Sequence, residues 1–337
     1  MPARQHLIST ATLTVLLSLA SSQALSEDSD NTPLSFVVVG DMPYSTAEED
    51  ALNGPIFAAI QTSKTPLLIH VGDIKSGGDS CSKTFFEMRH RQLLNLLPGR
   101  TVYTPGDNEW TDCDRLTLTH PVSELEMLDE VRQQIVRDMP DYPADWHLRT
   151  QPGYPENSLW QLHNTQFVTL HQTGTSNGRV QILKSDEADT LNQVAARDSA
   201  NLSWLTLAFE NARNSAADAL IVSHHADITQ VKYKDVACSS GNPRECDPYL
   251  AYRQRLSELA ADFKDASGQL KPVLVIHGDT HEYCMAKDMD GENIWRLNAW
   301  GDFKVPADAT RVEVKAEDKE APFSVKTLVH GFTPEGC

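Results

Sequence analysis

Val273-Leu274-Val275-Ile276-His277-Gly278-Asp279-Thr280-His281 decides how the rest of the chain is read. A short apolar run rich in β-branched residues, closed by Gly-Asp, reads as a buried strand of a parallel sheet followed by the turn at its carboxyl end. The same sentence is written three more times. Phe36-Val37-Val38-Val39 precedes Gly40-Asp41, Leu67-Leu68-Ile69-His70-Val71 precedes Gly72-Asp73, and Thr101-Val102-Tyr103-Thr104-Pro105 precedes Gly106-Asp107. Segments with apolar residues at helical spacing separate these strands, so the class is α/β.

Open α/β sheets bind ligands beyond the carboxyl ends of their strands, where these aspartates are delivered. Four carboxylates brought to one place repel one another unless cations lie between them, which makes a metal site the direct inference. The alternative is local: each Asp caps the helix that follows, and each Gly eases the turn.

A chain of 337 residues, 40% apolar, is long enough for one large core. Its first 24 residues read as a secretory signal peptide: Arg4, an apolar run over 7–20, and Ser22-Gln23-Ala24 at the cleavage spacing. Residues 25–32 are polar and acidic, a flexible lead-in. The expected location is secreted or periplasmic, with no membrane contact after cleavage. The six cysteines all lie in the mature part, as expected of an oxidising compartment. Fifteen pairings are open; Cys238 with Cys246 across a short loop is the first expected, Cys81 with Cys113 the second because each follows a Gly-Asp return, and Cys284 with Cys337 remains. A net charge of -18 without clustered Lys and Arg argues against nucleic acid as a partner.

In chain order, helices are expected over 46–63, 82–97, 121–139, 198–213 and 250–263, with Asp198 or Ser199 capping the fourth. Residues 139–155 read as loop, and 159–162 with 167–170 as a hairpin. A strand over 219–222 ends in Ser223-His224-His225. The tail alternates apolar and polar over 311–314 and 324–329, which suggests antiparallel strands on a second sheet. No linker interrupts 33–337, so one domain is expected. Asp79, Asp112, Asp114 and Asp302 read as solvated loop acids, and His70 and His277, inside strands, as core histidines.

Gly40-Asp41-Met42-Pro43, Gly72-Asp73, Gly106-Asp107-Asn108-Glu109, Ser223-His224-His225 and Gly278-Asp279-Thr280-His281 together resemble the ordered motifs of the calcineurin-like metallophosphoesterases, the superfamily that includes purple acid phosphatases. The resemblance spans Asp41 to Tyr283 and includes the helix Asn201-Leu202-Ser203-Trp204-Leu205. It implies a four-layer α/β/β/α sandwich of two mixed sheets flanked by helices. It also implies two metal ions, one held by Asp41 and His281, the other by Asp107, His224 and Asp279, with Asp73 bridging. The implied activity is hydrolysis of a small phosphoester, mono- or diester, by metal-activated water.

The chain departs from that pattern at several places. Pro43 stands where the family has a ligand His, Asp107 replaces a ligand Asn, Asp279 replaces a ligand His, and Asn108 occupies the place of the proton-donating His. Tyr44 then becomes a candidate for the position left by Pro43, and His225 for proton donation or substrate contact. Four aspartates also offset two divalent cations, so substrate attraction needs another cation; Lys75 is the candidate, with Arg89 behind it. Glu109 is expected to cap a helix or orient a neighbour, and Trp110 and Trp300 either wall the pocket or are simply buried in the core. Oxygen-rich ligation favours manganese, magnesium, calcium or iron, including ferric iron, over zinc. A second function fits the same residues: a metal- or ligand-binding protein that keeps the ions and has lost turnover.

Overall fold

The four strand-and-turn units lie in two sheets, and the carboxyl ends of their parallel strands meet. A computed structural model describes Met1 and residues 33–337; the expected signal peptide and lead-in fall on residues outside those described. The first half of the chain runs β1 (Ser35–Val39), α1 (Thr46–Ala51), α2 (Phe57–Ser63), β2 (Leu68–His70), α3 (Lys83–Leu94), β3 (Thr101–Tyr103) and α4 (Glu124–Arg137). It continues with β4 (Arg149–Gln151), β5 (Tyr154–Leu162), β6 (Thr165–Thr169), the short turn α5 (Gly174–Gly178) and α6 (Glu187–Asn214). Then follow β7 (Ala219–Ser223), α7 (Leu250–Ala261), β8 (Val273–His277), β9 (Cys284–Ala286), β10 (Ile294–Asn298), β11 (Thr310–Val314) and β12 (Phe323–Thr327).

The five-stranded sheet has the order β12-β11-β1-β2-β3 and the seven-stranded sheet the order β4-β5-β6-β7-β8-β10-β9. Both are mixed: β1, β2 and β3 are parallel, as are β6, β7, β8 and β10, with antiparallel strands at the edges. Period-two alternation sorts the strand residues into layers. Phe36, Val38, Ile69 and Val102 pack against Phe167, Ile221 and Ile276 between the sheets. The intervening Val37, Val39 and Leu68 meet Ile56, Phe86 and Val131 of the first helical layer. Leu220, Val222 and Val275 meet Leu205, Phe209 and Leu256 of the second. The expected four-layer sandwich is the fold found.

Three expectations change. The stretch 139–155, read as loop, contains β4 and the start of β5, which pair antiparallel. The alternating tail does not build the second sheet: β11 pairs antiparallel with β1, Ser35 opposite Glu313, and extends the first. Alternation specifies a strand with one wet face, as the Lys326 and Ser324 side of β12 has, but not which edge it joins. The helix expected to start at Asp198 begins eleven residues earlier, at Glu187, with Asp186 accepting from the Asp189 amide as its cap. Its first turns bury Thr190 and Arg197 beside Val194, so hydrophobic spacing does not reveal them. Asp198 instead pairs from mid-helix with Arg179 and the Asn177 amide.

The three expected disulfides are the ones formed, Cys81–Cys113, Cys238–Cys246 and Cys284–Cys337. None of the described helices is long and apolar enough to cross a membrane.

A buried polar network crosses the second sheet. His171 Nδ1 lies 3.0 Å from Glu156 Oε1, which also accepts from Arg132. Burial, aided by Arg197, pushes the His171 imidazole down to about 4. Burial opposes the Glu156 charge, but His171 and Arg132 outweigh it and hold the carboxyl at about 2. In the unfolded chain the imidazole takes its proton near the ordinary value of 6.5, so the folded state loses stability as pH falls from there through about 4. Urea unfolding followed across that interval is expected to show this decline, and His171→Gln, which carries no titrating ring, to make it shallower by one proton.

Candidate metal centre

Three of the four strand exits aim their aspartate by an uncommon backbone conformation. Asp41, Asp73 and Asp279 have φ of 53°, 57° and 65°. Asp is one of the few residues that visits this left-handed region, at a cost of about 1–2 kcal/mol. Positive φ thus falls on the aspartate at all three of these returns, and at one of them on the preceding glycine as well, Gly72 having φ of 104°. Gly106 and Gly278 serve close approach instead: a Cβ on Gly106 would lie 2.0 Å from Asp73 Oδ1, and one on Gly278 would lie 2.0 Å from Asp41 Oδ2.

The histidine that meets these carboxylates is His225. Along β7, Leu220 and Val222 face the helices, and His224 continues on that side, with its ring 5.6 Å from Tyr252 of α7 and stacked 6.4 Å from His277. Alternation therefore carries His224 away from the carboxylates and His225 into them, which corrects the expectation that His224 joins Asp107 and Asp279. The signal was present in the sequence, in the period of the strand rather than in the motif.

His225 Nδ1 lies 3.0 Å from the Val71 carbonyl, which can only accept, so Nδ1 carries the proton. The other nitrogen, Nε2, faces acceptors only: Asp107 Oδ1 at 3.2 Å, Asp73 Oδ1 at 3.4 Å and Asp279 Oδ1 at 3.6 Å. It must therefore hold either a proton or a cation. Potential ligand atoms of Asp41, Asp73 and His225 lie within 4.8 Å of one another, and so do those of Asp107, His225 and Asp279.

The protein's own charges leave this cluster strained. Burial pushes Asp41 up to about 7 and lifts Asp73 well above the carboxylate range, with His225 opposing in both cases. Burial likewise raises Asp279 against the pull of its His225 hydrogen bond. At Asp107 burial is outweighed by His225 and by the Thr175 hydroxyl, and the carboxyl is held low. Burial works against a charged His225, yet Asp73, Asp107 and Asp279 hold it well above its ordinary value.

Further contacts lock the ligand set. Glu109 is fully buried and clamps two returns, accepting from the amides of Ile74 (2.6 Å) and Gly106 (2.8 Å). Asp41 Oδ1 accepts from the Asp279 amide at 2.9 Å, which ties the two sheets together. Tyr44 donates its hydroxyl to Asp73 Oδ2 at 2.6 Å, and the Asn108 amide donates to the same oxygen. Both candidates from the sequence are at the site and donate to Asp73, and Asn108 Nδ2 also donates to the Tyr44 hydroxyl oxygen at 3.2 Å. Thr175 in α5, which no motif of the sequence marks, donates to Asp107 Oδ2 at 2.6 Å.

The cavity over the carboxylates measures about 290 Å³ and is lined by Tyr44, Gly77, Asn108, Arg115, His281 and Phe303, among others. His281 stands at its rim, 74% exposed, with Nδ1 3.0 Å from Asp302 Oδ2. It belongs to neither ligand triad. Lys75 is not in the cavity: its side chain is wholly buried and Nζ donates to the Ser76 carbonyl. Desolvation is what a lysine in that position suffers, and it lowers the Lys75 pKa. Arg89 is committed to Glu49 at 3.0 Å. The cation in the cavity is Arg115, paired with Asp112 at 2.5 Å. The Cys81–Cys113 bridge that brings the Gly77 loop to this turn was the available clue. Asp112 and Asp114 are buried rather than solvated, and burial pushes Asp112 up to about 7. Asp302 lines the cavity. Trp110 is buried under Arg197, 5.1 Å from its ring centre, and Trp300 packs on Tyr283; neither lines the cavity.

The residues present fit cations. Asp41 Oδ2 is buried with no hydrogen-bond partner in the described structure. An unpaired buried carboxylate oxygen is costly, and Gly278 packs against this one so closely that no side chain could replace the contact. The donors are hard oxygens plus one imidazole whose tautomer is fixed by a backbone carbonyl, the arrangement that orients a metal-ligating histidine.

No family model matches the chain, and no curated protein matches its sequence. Among solved structures it is similar to a 5'-nucleotidase from Candida albicans (TM-score 0.43, 11% identity, 88% of this chain and 52% of that one). It is also similar to the NAD nucleotidase of Haemophilus influenzae (0.41, 11%, 90% and 50%) and to GAP50, the anchor in the inner membrane complex of Plasmodium (0.40, 12%, 90% and 90%). The chain spans about half the length of the first two.

Proposed function

We propose that this chain is a divergent calcineurin-like metallophosphoesterase that is exported and hydrolyses a small phosphoester. The observation that carries the proposal is His225 Nε2, whose partner nitrogen is locked as a donor and which is surrounded by carboxylate oxygens of Asp73, Asp107 and Asp279. The ligands proposed are Asp41, Asp73, Asp107, Asp279 and His225 for two ions, with Asp73 between them. Because Nε2 has one lone pair, His225 can serve one ion only, and carboxylates must complete the other. Manganese, magnesium, calcium or iron suits this set better than zinc. Such ions, when bound, lower the pKa of a water and offset charge developing on phosphoryl oxygens.

The chain's own residues have separate tasks. Tyr44 and Asn108 fix the rotamer of Asp73. Arg115 gives the cavity a cation for a phosphoryl oxygen, weakened by its pairing with Asp112. His281 is proposed as the proton donor to the leaving oxygen rather than as a ligand, since Asp302 holds it by Nδ1 at the cavity rim. His281→Asn is expected to lower kcat by about 10²- to 10³-fold with metal content unchanged; loss of bound metal would return His281 to the ligand set. Three disulfides support an oxidising, exported location.

A panel of phosphomono- and phosphodiesters assayed with each metal tests the activity. Turnover that disappears with a chelator is expected, and no turnover with any metal contradicts it. The second reading, ion binding without turnover, is favoured by one observation: Asn108 and Tyr44 donate to Asp73 and to each other rather than into the cavity. Under that reading Asn108→His combined with Asp107→Asn creates activity where the wild type has none.

A further inference from the structure

Asp279 lines two cavities. One is the metal-centre cavity, and the other, of about 400 Å³, is walled in part by Val180, Val231, Tyr233 and Pro248. That volume is within the range of small-molecule sites. Its inner end belongs to the centre itself: Gly174 lines it, and a Cβ there would lie 2.6 Å from Asp107 Oδ2 and 2.7 Å from Asp279 Oδ1. Thr175 lines it too, while its hydroxyl holds Asp107. Cys246, bridged to Cys238, also lines it, so a covalently closed loop helps to shape the cavity.

The chemistry of the lining selects its occupant. Val180, Val231 and Pro248 offer apolar surface, and Tyr233 offers a ring with Lys232 Nζ 5.0 Å from its centre. The cationic side chains do not make an anion site. Of the two cations in the lining, Arg244 pairs with Glu187 at 3.1 Å and Lys232 lies over the Tyr233 ring, while three carboxylates, Glu245, Asp227 and Asp279, face the same space. A flat, uncharged aromatic body fits this lining; a second phosphate does not.

We propose that this second cavity holds the leaving group of the substrate, and that the group is an aromatic alcohol, which makes aryl phosphoesters the substrate class. The proposal rests on the phosphoesterase reading of the neighbouring centre. In the reaction a water oxygen bonds to phosphorus and the bond from phosphorus to the aryl oxygen breaks, its electron pair staying on that oxygen. The aryl oxygen takes one proton from His281, which regains the one that the attacking water gives up, leaving phosphate and the free aromatic alcohol.

The test compares 1-naphthyl phosphate with methyl phosphate in the wild type, Tyr233→Ala, and Val231→Trp, which fills the cavity. Both variants are expected to raise KM for the naphthyl ester about five- to tenfold, the worth of one aromatic contact, with kcat for it and both constants for methyl phosphate unchanged. Equal changes for the two esters, or none, overturn the proposal. Binding of free 1-naphthol, followed by its fluorescence, separates the two levels of inference. If neither ester turns over, the phosphoesterase reading fails; naphthol binding that Tyr233→Ala weakens still upholds the cavity, and binding that neither variant alters overturns it.

Discussion

Asp73→Asn is expected to abolish both ion binding and phosphoester turnover, lowering the latter by at least about a thousandfold. Loss of a residue that merely supports a ligand costs about 10- to 100-fold, and Asp73 is proposed to touch both ions. The geometry adds a second reason. Asp73 Oδ2 accepts from both the Tyr44 hydroxyl and the Asn108 side chain, and Oδ1 accepts from the Asn108 backbone N–H at 3.1 Å. An amide group at this position must turn its NH2 toward at least one donor. The fold itself is expected to survive, because the change removes one negative charge from a buried group of carboxylates that repel one another. Under a chelator the thermal midpoint of the variant should equal or exceed that of the wild type. If the aspartates were only turn and cap residues, the variant would bind ions as the wild type does. Isothermal titration with manganese reads the difference.

Gly106→Ala should have the next largest effect although it removes no ligand. The added methyl carbon would lie 2.0 Å from Asp73 Oδ1 and 2.8 Å from the Asp73 backbone nitrogen. One of those atoms is main chain, so rotation of a side chain alone cannot relieve the contact. Overpacking of this kind costs about 1–3 kcal/mol, and the displaced carboxylate leaves the position that Tyr44 and Asn108 hold. Ion affinity is expected to fall about a hundredfold, as it does when a ligand loses its orientation. Gly241→Ala, which adds a methyl where nothing lies within 4 Å, serves as the control and should change neither property. Equal ion affinity in wild type and Gly106→Ala would show that close approach at the third strand exit does not matter to the centre.

The sequence carried the layers and the carboxylates but not the finer aim of the side chains. Strands that end in Gly-Asp are legible because burial on both faces leaves an unbroken apolar run, and the parallel arrangement then dictates where the aspartates go. His224 and His225 differ by one position, and only the period of β7 separates them; the motif resemblance pointed to the wrong neighbour for the carboxylates, and the pleat decided otherwise. Lys75 and Arg115 illustrate a different difficulty. Both are a few residues from a strand exit, yet one is buried by its own loop and the other is carried into the cavity by a turn that a disulfide anchors. Thr175 was not legible at all, because it acts from a turn in which it, Ser176 and Asn177 have φ of 53°, 55° and 54°, a conformation that no glycine marks at those positions. The tail strands show the same division: alternation gave the element, while the free edge of β1 gave the partner.

The measurement that bears most directly on the metal centre is anomalous diffraction from crystals of the protein grown with manganese. Two peaks are expected, one among Asp41, Asp73 and His225 and one beside Asp107 and Asp279, with Asp73 near both. A map without a peak between these side chains, with His225 Nε2 hydrogen-bonded to the carboxylates as an imidazolium, would contradict the proposed centre and the hydrolase built on it.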